Sequence, residues 1–534
     1  MIARIFGCML LGVEGEFIQV EVDVGPGLPA FTVVGLPDAA VRESRDRVRA
    51  AIQNSGLPFP LRRITVNLAP ARLPKNGAAL DLPIALGILA AERVLQVPMT
   101  DRWVAVGELG LDGLLRPVPG LLSFALAARA AGRALLVPRA GLDQVVAVTG
   151  LPVLPVGSLA EAVEELNRGG LSRPAETFRG ATPAGPASGH HRLEAGDLSD
   201  LEDAWEAKRA LQVAVAGGHH LLLTGPPGCG KTMLAERAVS ILPPPSEEEA
   251  LEITKIRSAA GEFVTGLCSE RPFRSPHPSC TLAGMIGGGT PPRPGEASLA
   301  HRGVLFLDEL PHFRAEVLEA LRLPLEDGKA RLARAGTFIV FPARFVLIAA
   351  MNPCPCGFFG HPHRECRCRE QEIRQYLARL SGPLLDRIDL RVSMGIRDRD
   401  LSPARNSVAS PPGLATANPS DPHGGHTTQS ESACARQAVI AARARQRQRF
   451  GDDRLNRDLR PAEASSFLAC SGPALELLEE ASRHLGLSRR ARFRRLTVAR
   501  TIADLNGHEL IEPDDAAEAI QLCRPWNPME PGYR

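Results

Sequence analysis

The hydrophobic pattern changes period repeatedly along the first third of the chain. Residues 17–24 (FIQVEVDV) alternate apolar and polar positions, which predicts a strand with one buried face. Residues 39–56 (AAVRESRDRVRAAIQNSG) switch to helical spacing and stop at Gly56. The alternation returns in 62–70 (RRITVNLAP), and 79–94 (ALDLPIALGILAAERV) reads as a helix. WVAVGEL (103–109) and ALLVP (134–138) predict strands on either side of a helix at 121–133. Residues 1–168 therefore form an α/β unit of mixed topology.

Residues 169–198 lose all periodicity and are rich in Gly, Pro, Ala and Ser, the composition of a flexible linker. His190 and His191 lie in it as solvated side chains. Apolar strands recur at 221–224 (LLLT), 303–310 (GVLFLDEL) and 345–353 (FVLIAAMNP), separated by helical stretches, so 199–397 reads as a parallel-sheet core. Residues 398–433 are polar and rich in Pro, Gly, Ser and Asn, a disordered insertion. Residues 434–534 are helical throughout, with one helix ending at Gly507 and another opening at Pro513-Asp514.

A chain of 534 residues has room for about three domains. No segment reaches 18 uninterrupted apolar residues, and no cleavage site follows the N-terminal apolar run, so neither a membrane span nor a signal peptide is expected. Eleven cysteines, an odd number, favour thiols or metal ligands over a disulfide framework, so a cytoplasmic location is expected. The net charge of only +2 means that any basic surface is local, and 4% aromatics argues against a surface built mainly from base-stacking rings.

The chemistry concentrates at Gly225, Pro226, Pro227, Gly228, Cys229, Gly230, Lys231 and Thr232, a G-x-x-x-x-G-K-T loop between an apolar strand and a helix. Glycines let backbone N–H groups approach phosphate oxygens, and the following helix N-terminus adds partial positive charge. Lys231 is expected to reach the β- and γ-phosphates of ATP, and the Thr232 hydroxyl to hold Mg²⁺. Asp308 and Glu309 end the second strand; the first would hold Mg²⁺ and the second would orient and deprotonate the attacking water. Asn352 ends the third, where an amide can position that water. Cys354, Cys356, Cys366 and Cys368 follow at once as C-x-C-x₉-C-x-C, a candidate structural Zn²⁺ knuckle, with His361 and His363 able to replace a thiol. Lys329, Arg331, Arg334 and Arg344 sit on or beside a hairpin expected within 326–345, and six arginines with no acid run from Arg489 to Arg500.

Residues 73–89 and 106–138 resemble the proteolytic domain of Lon-type proteases, a family with a Ser–Lys dyad. The matching positions hold Ala79 and Leu122, so the resemblance implies that fold without peptidase chemistry. GPPGCGKT, PGEASLAHRGVLFLDEL, NPCPCG and SGPLLDRIDL resemble the magnesium-chelatase-like AAA+ ATPases, in particular the YifB/ComM group, and the likeness covers nearly the whole chain. It implies rings, usually hexamers, with active sites between subunits. It also implies that Arg387 (in LLDRID) is an arginine finger for a neighbour's γ-phosphate and Arg490 (in LSRRARF) the lid's sensor arginine. A loop at 275–300 would face the ring's pore. The group implies a sequence-independent motor on single-stranded or branched DNA, of the kind associated with branch migration in recombination and natural transformation. Two other readings stand beside it: a chelatase motor driving Mg²⁺ into a tetrapyrrole, and a protein-remodelling or scaffold ATPase.

Overall fold

The computed structural model describes residues 2–96, 102–170, 172–178, 196–202, 204–262, 266–334, 337–395 and 430–525. The first unit is built on a mixed eight-stranded sheet. Its strands run in the spatial order Arg173–Pro174, Pro152–Val156, Ala134–Pro138, Trp103–Ala105, Ile2–Leu11, Glu14–Gly25, Arg63–Ala69 and Ala30–Val34. The alternation read at 17–24 belongs to the long hairpin of the two central strands, in which Phe17 pairs with Cys8 and Val20 with Ile5. Helix Ala39–Asn54 starts at Asp38, whose carboxylate accepts the Val41 N–H at 2.8 Å, and buries Val41, Val48, Ala51 and Ile52 against the sheet. Helix Asp81–Ala91 is buried on nearly every side, as a sequence without a polar face requires. The sheet extends past the expected boundary at residue 168: Arg173–Pro174 pair with Val153 and Pro152, and Ala175 is buried. Of the expected linker, 179–195 lie outside the described residues, His190 and His191 among them.

The second unit is a five-stranded parallel sheet in the order Phe273–Arg274, Val304–Leu307, Val346–Met351, Leu221–Thr224 and Leu390–Ser393. Its three central strands are wholly or largely buried, which is why they read as continuous apolar runs. Each pair is in register, Leu221 beside both Ile348 and Leu390, so all strands point the same way. The sheet consequently has a carboxyl end, where strands lead into loops, and an amino end, where they begin.

Four long helices, Glu431–Phe450, Gly472–His484, Arg489–Asn506 and Pro513–Leu522, make the third unit. The expected disordered insertion is shorter than 398–433 at its end, because Ser430 caps the first of these helices by accepting the Ala433 N–H; residues 396–429 lie outside the described residues. Arg443 and the Gln446 amide donate to the Val215 and Ala216 carbonyls, tying the helices to the core.

The first unit docks directly on the core. Leu10, Leu11 and Val13 pack with Met285, Ile339 and Phe341. The Gly120 N–H donates to the Ser258 carbonyl, the Ser258 hydroxyl to Gln144, and Lys255 pairs with Glu14 at 2.6 Å, all along helix Glu247–Ala260. A cavity of about 330 Å³ remains at this junction, lined by Lys75, Ala79, Pro119, Arg293 and Ile339 among others. Ala79 stands in its wall and Leu122 in the core, so the two positions of the protease pair carry neither a hydroxyl nor an amine. Lys75, fully buried, is lowered by desolvation and donates to the Pro70 carbonyl.

Candidate nucleotide site

The phosphate loop leaves the carboxyl end of the sheet between the strands ending at Met351 and Ser393. Its first residue must be small, since a Cβ on Gly225 would lie 2.3 Å from the Met394 carbonyl oxygen. Gly228 and Gly230 hold φ of +80° and +87°, a region L-residues avoid. Helix Lys231–Ile241 then begins, with its first turn open to the loop.

Polar side chains from three strand ends meet here. The Lys231 ammonium donates to the Gly225 and Pro226 carbonyls at 2.8 Å each and to the Asn352 side-chain oxygen at 3.2 Å. The Thr232 hydroxyl donates to Asp308 at 2.8 Å, which brings together the two groups expected to hold Mg²⁺. A hydroxyl and a carboxylate are hard oxygen donors, the set that divalent magnesium prefers beside phosphate oxygens, so the residues fit that ion. The second Asp308 oxygen accepts the Glu309 N–H at 2.8 Å. Glu309 itself sits at φ +51°, ψ +47°, a left-handed conformation that costs a non-glycine residue about 1 kcal/mol or more. That bend turns its exposed carboxylate away from the strand, 3.0 Å from His312 Nδ1. His312 in turn meets Tyr376 edge-on at 6.2 Å, and burial pushes the Tyr376 phenol up to about 12. Sequence reading missed His312 and Tyr376; the only signal for His312 was its place three residues after the second acid.

The cysteines close into one cluster. All four sulfurs lie within 4.8 Å of one another, with Cys354–Cys356, Cys354–Cys366 and Cys356–Cys366 separations of 3.4, 3.7 and 3.6 Å. A tetrahedron with zinc–sulfur bonds of about 2.3 Å has edges of about 3.8 Å, so the donor set fits zinc. The Phe359 and Cys356 N–H groups point at the Cys354 and Cys368 sulfurs, as thiolate ligands require. Neither His361 nor His363 joins this set; His361 Nδ1 accepts the His363 and Arg364 N–H groups instead. The cluster abuts the phosphate loop: a Cβ on Gly357 would lie 2.5 Å from Pro227.

Arg387 and Arg490 are not part of this assembly. Arg387 precedes Leu390, the first residue of its strand, and that residue is aligned with Leu221. It therefore lies at the amino end, with the length of a strand between it and the loop after Thr224. There its guanidinium is 2.6 Å from Glu326 and donates to the Pro383 carbonyl at 2.7 Å, while its buried Nε has no partner. Arg490 reaches the other oxygen of Glu326 at 3.4 Å. The hydrogen bond from Arg387 holds Glu326 below the usual carboxylate range. Beside them Asp389 is buried; despite that burial the His219 ring 3.8 Å away and the charges of Arg457 and Arg494 keep it far below the usual range. A cleft of about 1220 Å³ opens here between core and helices, lined by Arg271, Arg302, Arg344 and Arg490 among others. The six-arginine run is not one outward patch. Arg495 and Arg500 are buried, donating to the Cys523 and Glu509 carbonyls, and Arg494 faces Asp389.

The hairpin expected near 326–345 forms from Lys329–Arg334 and Thr337–Pro342. Arg344 lies just beyond it, its N–H on His301. The 275–300 loop folds into short helices at Leu282–Ile286 and Glu296–Leu299, with Gly287–Gly288 paired to Arg293–Pro294 between them. No helix among the described residues is long and apolar enough to cross a membrane.

Three family models match in the same order as the three units: subunit ChlI of Mg-chelatase over 20–141, magnesium chelatase subunit ChlI over 197–400, and the ChlI C-terminal region over 429–523. The chain is 43% identical to the YifB protein of Escherichia coli (strain K12) over 514 residues, covering 96% of this chain and 94% of that one. It is 41% identical to competence protein ComM of Haemophilus influenzae (strain ATCC 51907 / DSM 11121 / KW20 / Rd), covering 97% of each. The magnesium-chelatase subunit ChlI-1 of Arabidopsis thaliana is 26% identical over 231 residues, 43% of this chain and 44% of that one. With its phosphate loop, acid pair and three-unit order in place, the chain belongs to the YifB/ComM family of magnesium-chelatase-like ATPases.

Proposed function

We propose that this protein is a Mg²⁺-dependent ATPase that works as a ring, six copies being the expected number, and drives single-stranded or branched DNA without reading its sequence. The observation that carries the reading is the split of the site across one sheet. Lys231, Thr232, Asp308, Glu309 and Asn352 gather at the carboxyl end, while Arg387 and Arg490 stand together at the amino end. One copy cannot close its own site, but two copies stacked end to edge supply both halves. Likeness to a competence protein along the whole chain favours a role in DNA recombination and uptake over tetrapyrrole chemistry, since the chelatase subunit matches less than half of it.

In this reading the loop N–H groups and Lys231 hold the phosphates. Thr232 and Asp308 hold Mg²⁺, which screens phosphate charge and fixes the phosphate geometry when bound. Glu309, held outward by its left-handed backbone, takes a proton from the attacking water, and Asn352 orients that water. Arg387 and Arg490 of the adjacent copy neutralise charge that grows on the phosphoryl group. The four-cysteine cluster holds zinc as a closed structural site and braces the phosphate loop through Gly357 and Pro227.

The test is the ATPase rate of the full chain with no DNA, single-stranded DNA and branched DNA across a salt series, beside Lys231→Ala. DNA should raise turnover, the stimulation should fall steeply with salt, and Lys231→Ala should abolish it. A rate indifferent to DNA, measured on monomers, overturns the motor. Stimulation by tetrapyrrole-loading partners or by proteins alone would support the chelatase and remodelling readings in its place.

A further inference from the structure

Among the exposed large hydrophobic side chains of the described residues, only two are aromatic, and Phe338 is the more exposed of them at 77%. It stands on the hairpin Lys329–Arg334/Thr337–Pro342, whose two faces are unlike. One face buries Ala330, Ile339 and Phe341 against the core and against Leu10, Leu11 and Val13 of the first unit. That clamp fixes the hairpin from below. Pairing across the strands sets Ala333 beside Phe338, Arg331 beside Val340 and Lys329 beside Pro342. By the two-residue alternation of a strand these six positions share the opposite, outward face. Alanine is too small to cover the ring next to it, so the phenyl surface stays open.

We propose that this outward face is a stacking platform for an unpaired nucleobase, with Lys329 and Arg331 on the flanking phosphates. The inference rests on the DNA reading above and narrows it. A phenyl ring set in a row of cations suits a polyanion that also has flat apolar surfaces. Unpaired strands offer those surfaces, whereas duplex DNA hides them inside its stack. Arg331 is 2.6 Å from Asp327 through one nitrogen, and its guanidinium keeps other donors for phosphate. The rigid mount means little side-chain freedom is lost on binding. The hairpin therefore selects strands that are already open, and duplex arms of a branched substrate stay off it.

The experiment measures the affinity of the full chain for three probes of equal length: an oligothymidine strand, an abasic strand with the same phosphates, and a blunt duplex. Phe338→Ala should weaken oligothymidine binding by about tenfold and leave the abasic strand and the duplex nearly unchanged. Phe338→Trp should keep the oligothymidine affinity. Lys329→Ala should weaken both single strands alike and lower the slope of log affinity against log salt by about 0.7. Wild-type binding to oligothymidine with no loss in Phe338→Ala overturns the platform and leaves the motor standing. An equal loss on abasic and base-bearing strands overturns it too. A changed assembly state in Phe338→Ala assigns the face to a second copy instead. If the wild type binds none of the three probes, the DNA reading itself falls, and the platform with it.

Discussion

The two ends of the core sheet hold the same kinds of atoms under opposite rules. At the carboxyl end, loops from three strands bring a lysine, a threonine, two acids and an amide into mutual hydrogen bonds, around glycines that keep the backbone bare. At the amino end, two arginines from different units lean on one carboxylate, Glu326, over a buried aspartate. The first end is built to receive phosphate and a cation. The second presents positive charge that its own phosphate loop never meets. What separates them is the length of a strand and the common direction of all five, and in the proposed ring a neighbouring copy joins them.

Arg387→Ala cuts deepest into that contrast. It should lower turnover by about a thousandfold, as loss of an arginine finger does. Mixing it with Lys231→Ala copies should restore part of the activity, because the second variant still offers its arginine to the first variant's intact loop. Turnover by Arg387→Ala alone, or no recovery in assemblies shown to be mixed, would remove the arginine from the reaction.

Removing the sulfur cluster sharpens the carboxyl end. Cys356→Ser with Cys366→Ser should lose one equivalent of zinc by metal analysis, reduce turnover by about tenfold and lower the melting temperature by a few degrees. A zinc-free variant with full turnover would show that the contact between Gly357 and Pro227 transmits nothing to the phosphate loop.

The smallest effect probes the amino end through acid. Glu252 is pulled down to about 2, first by its hydrogen bond to His301 and then, against the cost of burial, by Arg302, which lines the cleft there. A carboxylate with a lowered folded value stabilises the protein above its unfolded value of 4.5, and that stabilisation drains away as pH falls toward 2. Because the side chain is nearly half exposed, the contribution is about 1 kcal/mol or less. Melting curves of Glu252→Gln between pH 5 and pH 3 should therefore fall less steeply than those of the wild type. Parallel curves would place the acid sensitivity elsewhere.

Some of this was legible without coordinates. The phosphate loop announces itself because its chemistry is contiguous: eight adjacent residues make the whole cradle. Asp308, Glu309 and Asn352 were legible because each ends a strongly apolar strand, and strand ends in a parallel sheet converge. The four cysteines were legible by spacing, and the structure adds that histidine takes no part. Tyr376, Glu326 and Asp389 were not, because each acts through a partner far away in sequence, and His312 had only its place three residues after Glu309 to mark it. The direction of the arginine run from 489 was not legible either, since formal charge does not say which way a guanidinium points, and Arg495 and Arg500 face inward.

The sequence by itself determined the order of the three units, the period of most elements and the place of the glycine-rich loop between strand and helix, since all of these depend on neighbours a few positions apart. Only the tertiary structure decided that Arg387 and Arg490 share Glu326 at the far end of the sheet. It also decided that the knuckle leans on Pro227 and that Phe338 faces outward. Those outcomes follow from strand direction, register and packing between segments far apart in the chain, which burial and backbone hydrogen bonding settle together and no single stretch of chain encodes.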